Sequence, residues 1–301
     1  MDYRTLGRTG LTVSRLGAGL SEIGYQLSLD QADEASRVLN RALDGGITFL
    51  DTSACYGYSE SFIGRSIAHR RDEYVLATKA GHVTGDYEGE AWTGRTITDS
   101  IERSLRRMKT DRLDLVQLHS CDVDVLERGE VIEALLAARD AGKTRFVGYS
   151  GDNEAALWAV ESGHFDTLQT SFNFVDQQAR WRLLDVAKAH NMGVIVKRPI
   201  ANGVWGSESS PSAYADPYFD RYRALMAEGP IPGAPSGRVE LALGYTLSHE
   251  QVDVAIVGTR NPRHMVSNLA LMADGPHLSA QVIAELERRF DALGADWRQL
   301  Q

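Results

Sequence analysis

GAGLSE, residues 17–22, decides between two folds. Two glycines follow an apolar start in the spacing of a nucleotide-binding turn, but Glu22 stands where the third glycine of G-x-G-x-x-G belongs. That glycine lets a helix pack tightly on the first strand of a doubly wound sheet, so a carboxylate in its place removes the main support for that fold. Counting units outward from the stretch settles the matter. Short runs rich in β-branched residues recur at 16–20, 48–53, 74–80, 113–120, 145–150, 167–173, 193–199 and 254–259, each followed by a longer stretch of helical periodicity. Eight alternating βα units in 301 residues close a parallel barrel with its helices outside. The expectation is an α/β protein: a single (β/α)8 TIM barrel domain over residues 1–301, with an N-terminal β-hairpin and long loops at the C-terminal face.

Helix signals agree with that alternation. Asp30 is expected to cap a helix over Gln31–Asp44, where Ala35, Val38, Leu39, Ala42 and Leu43 share one face. Thr98 is expected to open a second, with Ile101, Leu105 and Met108 at helical spacing, and Val131, Ile132, Leu135 and Leu136 mark a third. Residues 81–95 and 200–237 are longer than ordinary βα connections and carry Trp92, Trp205, Tyr214, Tyr218 and Phe219. Trp92 and Trp205 are therefore candidates for a substrate pocket, since long loops at the active face of a barrel shape its ligand.

Composition excludes several classes. A formal net charge of −9 argues against nucleic acid and anionic membrane as partners, and the short basic runs at 69–71 and 103–109 read as solvated helix faces. The start of the chain has no secretory apolar core and no run reaches the about eighteen apolar residues of a membrane span, so cytoplasmic residence is expected. Two cysteines, Cys55 and Cys121, are too few for a disulfide framework and lack zinc spacing; both are expected to be reduced, space-filling thiols, and no metal site is expected.

Polar residues that close apolar strands point into the active face of a barrel. Asp51 ends TFLDTS, Lys79 ends VLATKA, His119 ends LDLVQLHS, and Tyr56 follows Asp51 by one turn. Singly, each reads as a cap, a surface cation, a core imidazole or a packing ring. A charge at the end of a buried run is costly unless paired, and Asp51 and Lys79 on neighbouring strands supply such a pair. An ammonium beside a phenol that ordinarily titrates near about 10 is expected to lower its pKa, making Tyr56 a general acid and base. His119 then holds a carbonyl oxygen, and carbonyl polarisation without a nucleophile or metal suits hydride addition.

With these residues the chain resembles the aldo-keto reductase superfamily. The likeness runs from RTLGRTGLTVSRLGAGL through DTSACYG, LDLVQLH and VKRPIANG to VAIVGTRNPRHMVSNL, essentially the whole chain. It implies the barrel, a tetrad of Asp51, Tyr56, Lys79 and His119, and an NADP-dependent oxidoreductase acting on an aldehyde or ketone, or on the alcohol in reverse. It further implies that Ser150 and Gln169 hold the nicotinamide amide. Gly151 stands where the family has asparagine, with Asn153 or Asn173 as replacements, and Lys197 and Arg198 stand where many members stack a tyrosine. Gly258 and Thr259 would approach phosphate and Asn268 the adenine. His264 takes the place of the arginine for the 2′-phosphate, with Arg260 and Arg263 as neighbouring cations, so NADPH is expected and NADH is the alternative.

Two other functions compete. A regulatory subunit that senses NADPH with slow turnover would share the fold, but the complete tetrad argues against it. A hydrolase is disfavoured because GYSGD around Ser150 has Asp152 where a nucleophile elbow requires glycine, and no strand carries an HxH metal pair. The substrate and the oligomeric state are not encoded in any motif.

Overall fold

The computed structural model describes residues 1–85, 87–206 and 208–300; Asp86 and Ser207, inside the two long loops, lie outside the described residues. Eight parallel strands close the barrel: β3 (Leu16–Gly19), β4 (Phe49–Asp51), β5 (Val75–Ala80), β6 (Leu113–His119), β7 (Thr144–Ser150), β8 (Thr167–Ser171), β9 (Gly193–Lys197) and β10 (Val254–Gly258). They follow one another in sequence order, and β10 pairs with both β9 and β3 to complete the ring. The preceding hairpin, β1 (Tyr3–Thr5) with β2 (Thr12–Ser14), is antiparallel.

Alternation along each strand builds two cores. Val75 and Ala77 join Phe49, Leu115, Ile195, Val254 and Ile256 inside the barrel, whereas Leu76, Ala80, Val116, Leu118, Val194 and Val196 pack outward against the helices. Leu6, Leu11 and Val13 from the hairpin region complete the inner cluster and stop the floor of the barrel. Each such buried side chain contributes about 1.5–3 kcal/mol. Gly7 is needed for that plug: a Cβ there would fall 2.2 Å from the backbone nitrogen of Gly193.

Three local expectations change. The helix over 32–44 is preceded by a short 3-10 turn (Leu29–Gln31), and Ser28, through a capping box with Gln31, starts it in place of Asp30. The helix assigned to Thr98 begins a turn earlier, at Gly94, because the Thr93 hydroxyl accepts from the Thr96 amide at 3.2 Å. Within 200–237, residues Asp216–Met226 form a helix that buries Tyr218 and Phe219, so these two rings pack the core rather than a loop surface. Among the described residues, no helix is long and apolar enough to cross a membrane.

Candidate active site

Strand register brings the candidate residues to one rim. Asp51 pairs with Gly19 and Ala77, Lys79 with Gln117, His119 with Ser150, Ser150 with Gln169, and Gly258 with Gly19. The same two-residue period that points Val75 and Ala77 inward carries Lys79 into the top of the barrel, and Phe49 does this for Asp51. Tyr56 reaches the rim on a tight turn whose close packing needs Gly24, where a Cβ would lie 2.1 Å from the Tyr56 carbonyl.

Asp51 and Lys79 are 2 % and 1 % exposed, so their charges depend on each other. The Lys79 Nζ donates to Asp51 Oδ2 at 2.6 Å and to the Thr52 carbonyl at 3.0 Å, and lies 4.8 Å from the Tyr56 ring centroid. Burial pushes the lysine down, but Asp51 and Tyr56 outweigh it and the net direction is up. Tyr56 differs from expectation: burial raises it, Lys79 lowers it by less, and the phenol stays above its ordinary value.

Around His119 the environment forbids charge. Burial is the larger cause, and Lys79, His82, Lys197 and Arg198 add to it, so the imidazole is held well below the usual histidine range. Its Nδ1 lies 3.2 Å from the Ser53 hydroxyl and 3.4 Å from the Cys55 thiol. Either one donating to Nδ1 leaves the proton on Nε2. The His119 ring meets Tyr56 edge-on at 5.6 Å and His82 at 4.9 Å, and His82 in turn meets Trp92 at 4.9 Å. Trp92 lies over Gly81, where a Cβ would fall 1.9 Å from its ring. Trp205, by contrast, packs against Phe174 at 5.9 Å, and neither tryptophan is among the residues lining the cleft at Tyr56.

That cleft, of ≈ 460 Å³, is lined by Asp51, Tyr56, Gln169, Lys197, Arg198 and Gly258 among others. It continues past Glu22, Gln26 and Gly258 into a second space of ≈ 500 Å³ bordered by Thr259, Arg260 and His264. A long trough with cations in both parts fits a dinucleotide, whose phosphates they would meet; the carboxylates of Glu22 at the junction and Glu34 in the second space oppose it. Among the described residues, Arg260 and Arg263 are exposed and form no ion pair. Asn268, one turn beyond His264 on the same helix, lines a separate groove with Val239, Glu240 and Gly275.

The amide-binding candidates are already engaged. The Ser150 hydroxyl donates to Gln169 Oε1 at 2.8 Å, and Gln169 Nε2 donates to Asp51 Oδ1 at 2.7 Å. Gly151 has no room for a side chain, since a Cβ would lie 2.5 Å from the Tyr149 hydroxyl. Neither proposed replacement is at hand: Asn153 bonds to Gln299, and Asn173 donates to the Arg198 carbonyl while accepting from Val175 and Asp176 amides. Lys197 and Arg198 share the buried carboxylate of Asp152, at 2.9 and 3.8 Å. Arg198 also donates to the Tyr214 hydroxyl, which supplies an aromatic ring at the cleft from a loop instead of from a strand end. Sequence reading missed Ser53, His82, Asp152 and Gln299 as parts of this site; the alternation of β4, β5 and β7 gives no signal for Ser53, His82 and Asp152 on the turns that follow them, and Gln299 lies beyond the last helix. Cys121 is buried with its thiol pushed up to about 12, as a space-filling side chain would be.

A parallel barrel whose strand ends gather a buried Asp–Lys pair, a tyrosine and a neutral histidine beside a dinucleotide-sized trough defines an oxidoreductase site. A model of the Aldo/keto reductase family matches residues 15–289, and the chain belongs to that family. It is 29% identical over 288 residues to L-galactose dehydrogenase of Arabidopsis thaliana, covering 91% of this chain and 89% of the relative. To aldo-keto reductase YhdN of Bacillus subtilis it is 28% identical over 289 residues, covering 87% and 86%. The solved holo form of aldo-keto reductase AKR11C1 from Bacillus halodurans superimposes with a TM-score of 0.82 at 26% identity, covering 96% of each chain.

Proposed function

We propose that this chain is a nicotinamide-dependent oxidoreductase that reduces an aldehyde or ketone to an alcohol, or runs the reverse, with Tyr56 as proton donor. The observation that carries the reading is Lys79, placed between the Asp51 carboxylate at 2.6 Å and the Tyr56 ring at 4.8 Å. A bound nicotinamide supplies or accepts the hydride. Tyr56 gives its proton to the carbonyl oxygen, and Lys79 stabilises the phenolate that remains. Its raised pKa keeps the phenol protonated near neutrality, the state that reduction needs. Neutral His119, with its proton on Nε2, donates a hydrogen bond to the same oxygen and adds no charge that would repel Lys79.

Gln169, Lys197 and Arg198 would hold the cofactor near the chemistry, and Gly258, Thr259, Arg260 and His264 its adenosine side. Arg260 at that end and the neighbouring Arg263, neither in an ion pair among the described residues, favour a 2′-phosphate, hence NADPH over NADH. Gln169 also supports the reaction indirectly by fixing Asp51. The test is nicotinamide absorbance with a panel of aliphatic and aromatic aldehydes, using NADPH and NADH in turn. Turnover in the intact protein that is lost in Tyr56→Phe is expected; equal turnover in both would overturn the assignment of the proton donor.

A further inference from the structure

Residues 297–300, after the last helix, do not line the cleft, yet the Leu300 carbonyl accepts from Arg198, one of the cations that do. Gln299 is buried and its side chain works in both directions. Its Nε2 donates to the Thr170 hydroxyl at 3.0 Å and the Ser171 carbonyl at 2.8 Å, with Asp152 Oδ1 at 3.5 Å, while its Oε1 accepts from the Asn153 amide at 2.9 Å. Two further bonds join the backbone of Gln299 to the Asn153 side chain, at 3.0 and 3.2 Å. Leu300 continues the pattern. Its amide donates to Asp176 at 2.8 Å, and its carbonyl accepts from the Ser171 hydroxyl and from Arg198, each at 3.1 Å.

Two of the residues so held have left-handed backbones without being glycine: Asn153 at φ 57° and Arg198 at φ 57°. Such conformations persist only where surrounding contacts over-determine them. Between them sits Asp152, which accepts from Thr170 at 2.9 Å and from the Ser171 amide at 2.7 Å as well as pairing with Lys197 at 2.9 Å. Burial works against its charge, but Lys197 and Arg198 hold the carboxyl below the usual range.

We infer that Gln299 is a positioning residue for the dinucleotide site: it fixes Asp152, and Asp152 with the Leu300 carbonyl fixes Lys197 and Arg198 where the ligand's phosphates and nicotinamide meet the wall. The inference rests on the proposed function, because it needs the cleft to take a dinucleotide. None of residues 297–300 lines the cleft, so their effect runs through the two cations.

The experiment compares wild type, Gln299→Ala and Val13→Ala by titration with NADPH and with NADH, alongside thermal melting. Val13 is buried in the plug at the opposite end of the barrel and serves as the control for general loss of stability. Gln299→Ala is expected to weaken both dinucleotides about three- to tenfold, the size of one hydrogen bond's contribution. The KM for the dinucleotide should rise in step while kcat at saturation stays within about twofold. Val13→Ala should bind as wild type even with a lower melting temperature. Gln299→Met, equal in length but unable to make these bonds, reports the same loss where the alanine variant does not fold. Wild-type affinity in the Gln299 variants, or equal weakening in Val13→Ala, overturns the inference alone. A wild-type protein that binds neither dinucleotide overturns the reading of the cleft, and the inference with it.

Discussion

The two ends of the trough are built on opposite principles. At the chemical end, Asp51, Lys79, Ser150 and Gln169 sit on barrel strands and satisfy one another within hydrogen-bonding distance. At the far end, Thr259, Arg260 and His264 lie on a turn and the start of a helix, and the guanidiniums of Arg260 and Arg263 meet no carboxylate among the described residues. One end is complete before any ligand arrives, whereas the other is left for a ligand to complete. Rigid strands suit the part where a displaced atom costs rate, and a turn suits the part that only has to hold.

The sharpest way to break this contrast is at the phenol. Tyr56→Phe is expected to lower kcat about 10²- to 10⁴-fold with dinucleotide affinity unchanged, measured by steady-state rates and equilibrium titration. A loss of binding of the same size would mean that the chemical end is also an anchor. Next in size, Asp51→Asn strands a buried ammonium and should cost about 3–5 kcal/mol of stability in denaturant melts, besides slowing turnover. At the open end, Arg260→Ala should weaken NADPH about tenfold and leave NADH nearly unchanged, and the NADPH effect should shrink with added salt. A variant equally weak for both would show that the guanidinium does not meet a 2′-phosphate.

The smallest effect concerns acid. His82, His119 and His249 are all shifted downward, with burial as the main cause in each. The unfolded chain takes up protons from about pH 6.5, where the folded protein still refuses them. Stability from these groups is therefore full above that pH and falls as pH drops through it toward the folded values. Melting temperatures from pH 8 to about 5 should show a plateau and then a decline, and His119→Asn should reduce the slope. The proton of Tyr56 runs the other way: under the proposed role as donor, reduction is expected to be favoured below its raised pKa and lost only as pH climbs past it.

Much of this was legible because a barrel strand has a period of two and a defined end. An acid, a lysine and a histidine near the ends of apolar runs escape burial among the helices only by turning to the rim, which is why Asp51, Lys79 and His119 are legible in the sequence. The hidden parts depend on partners remote in sequence or on balances between opposing effects. Asp152 gains its meaning from Lys197 on another strand and from Gln299, and no periodicity joins those positions. Trp205 and Trp92 look alike in loops, yet one packs on Phe174 and the other stands two rings from Tyr56. The direction of the Tyr56 shift depends on burial against charge, a difference that residue types alone do not give. A helix over Asp216–Met226 was concealed by the proline-, serine- and glycine-rich segments on either side.

The amide of Gln169 gives the chemical end a sense of direction. Ser150 donates to its oxygen, its nitrogen donates to Asp51, and Lys79 donates to Asp51 from the other side. Hydrogen bonds thus flow toward a carboxylate that can only receive, and the chain stops there. Under the proposed mechanism, proton exchange with the substrate is then left to the phenol of Tyr56. A glutamate at position 169 would reverse the last arrow: two carboxylates would face each other, one would have to capture a proton, and the cluster would acquire a second acid competing with the tyrosine.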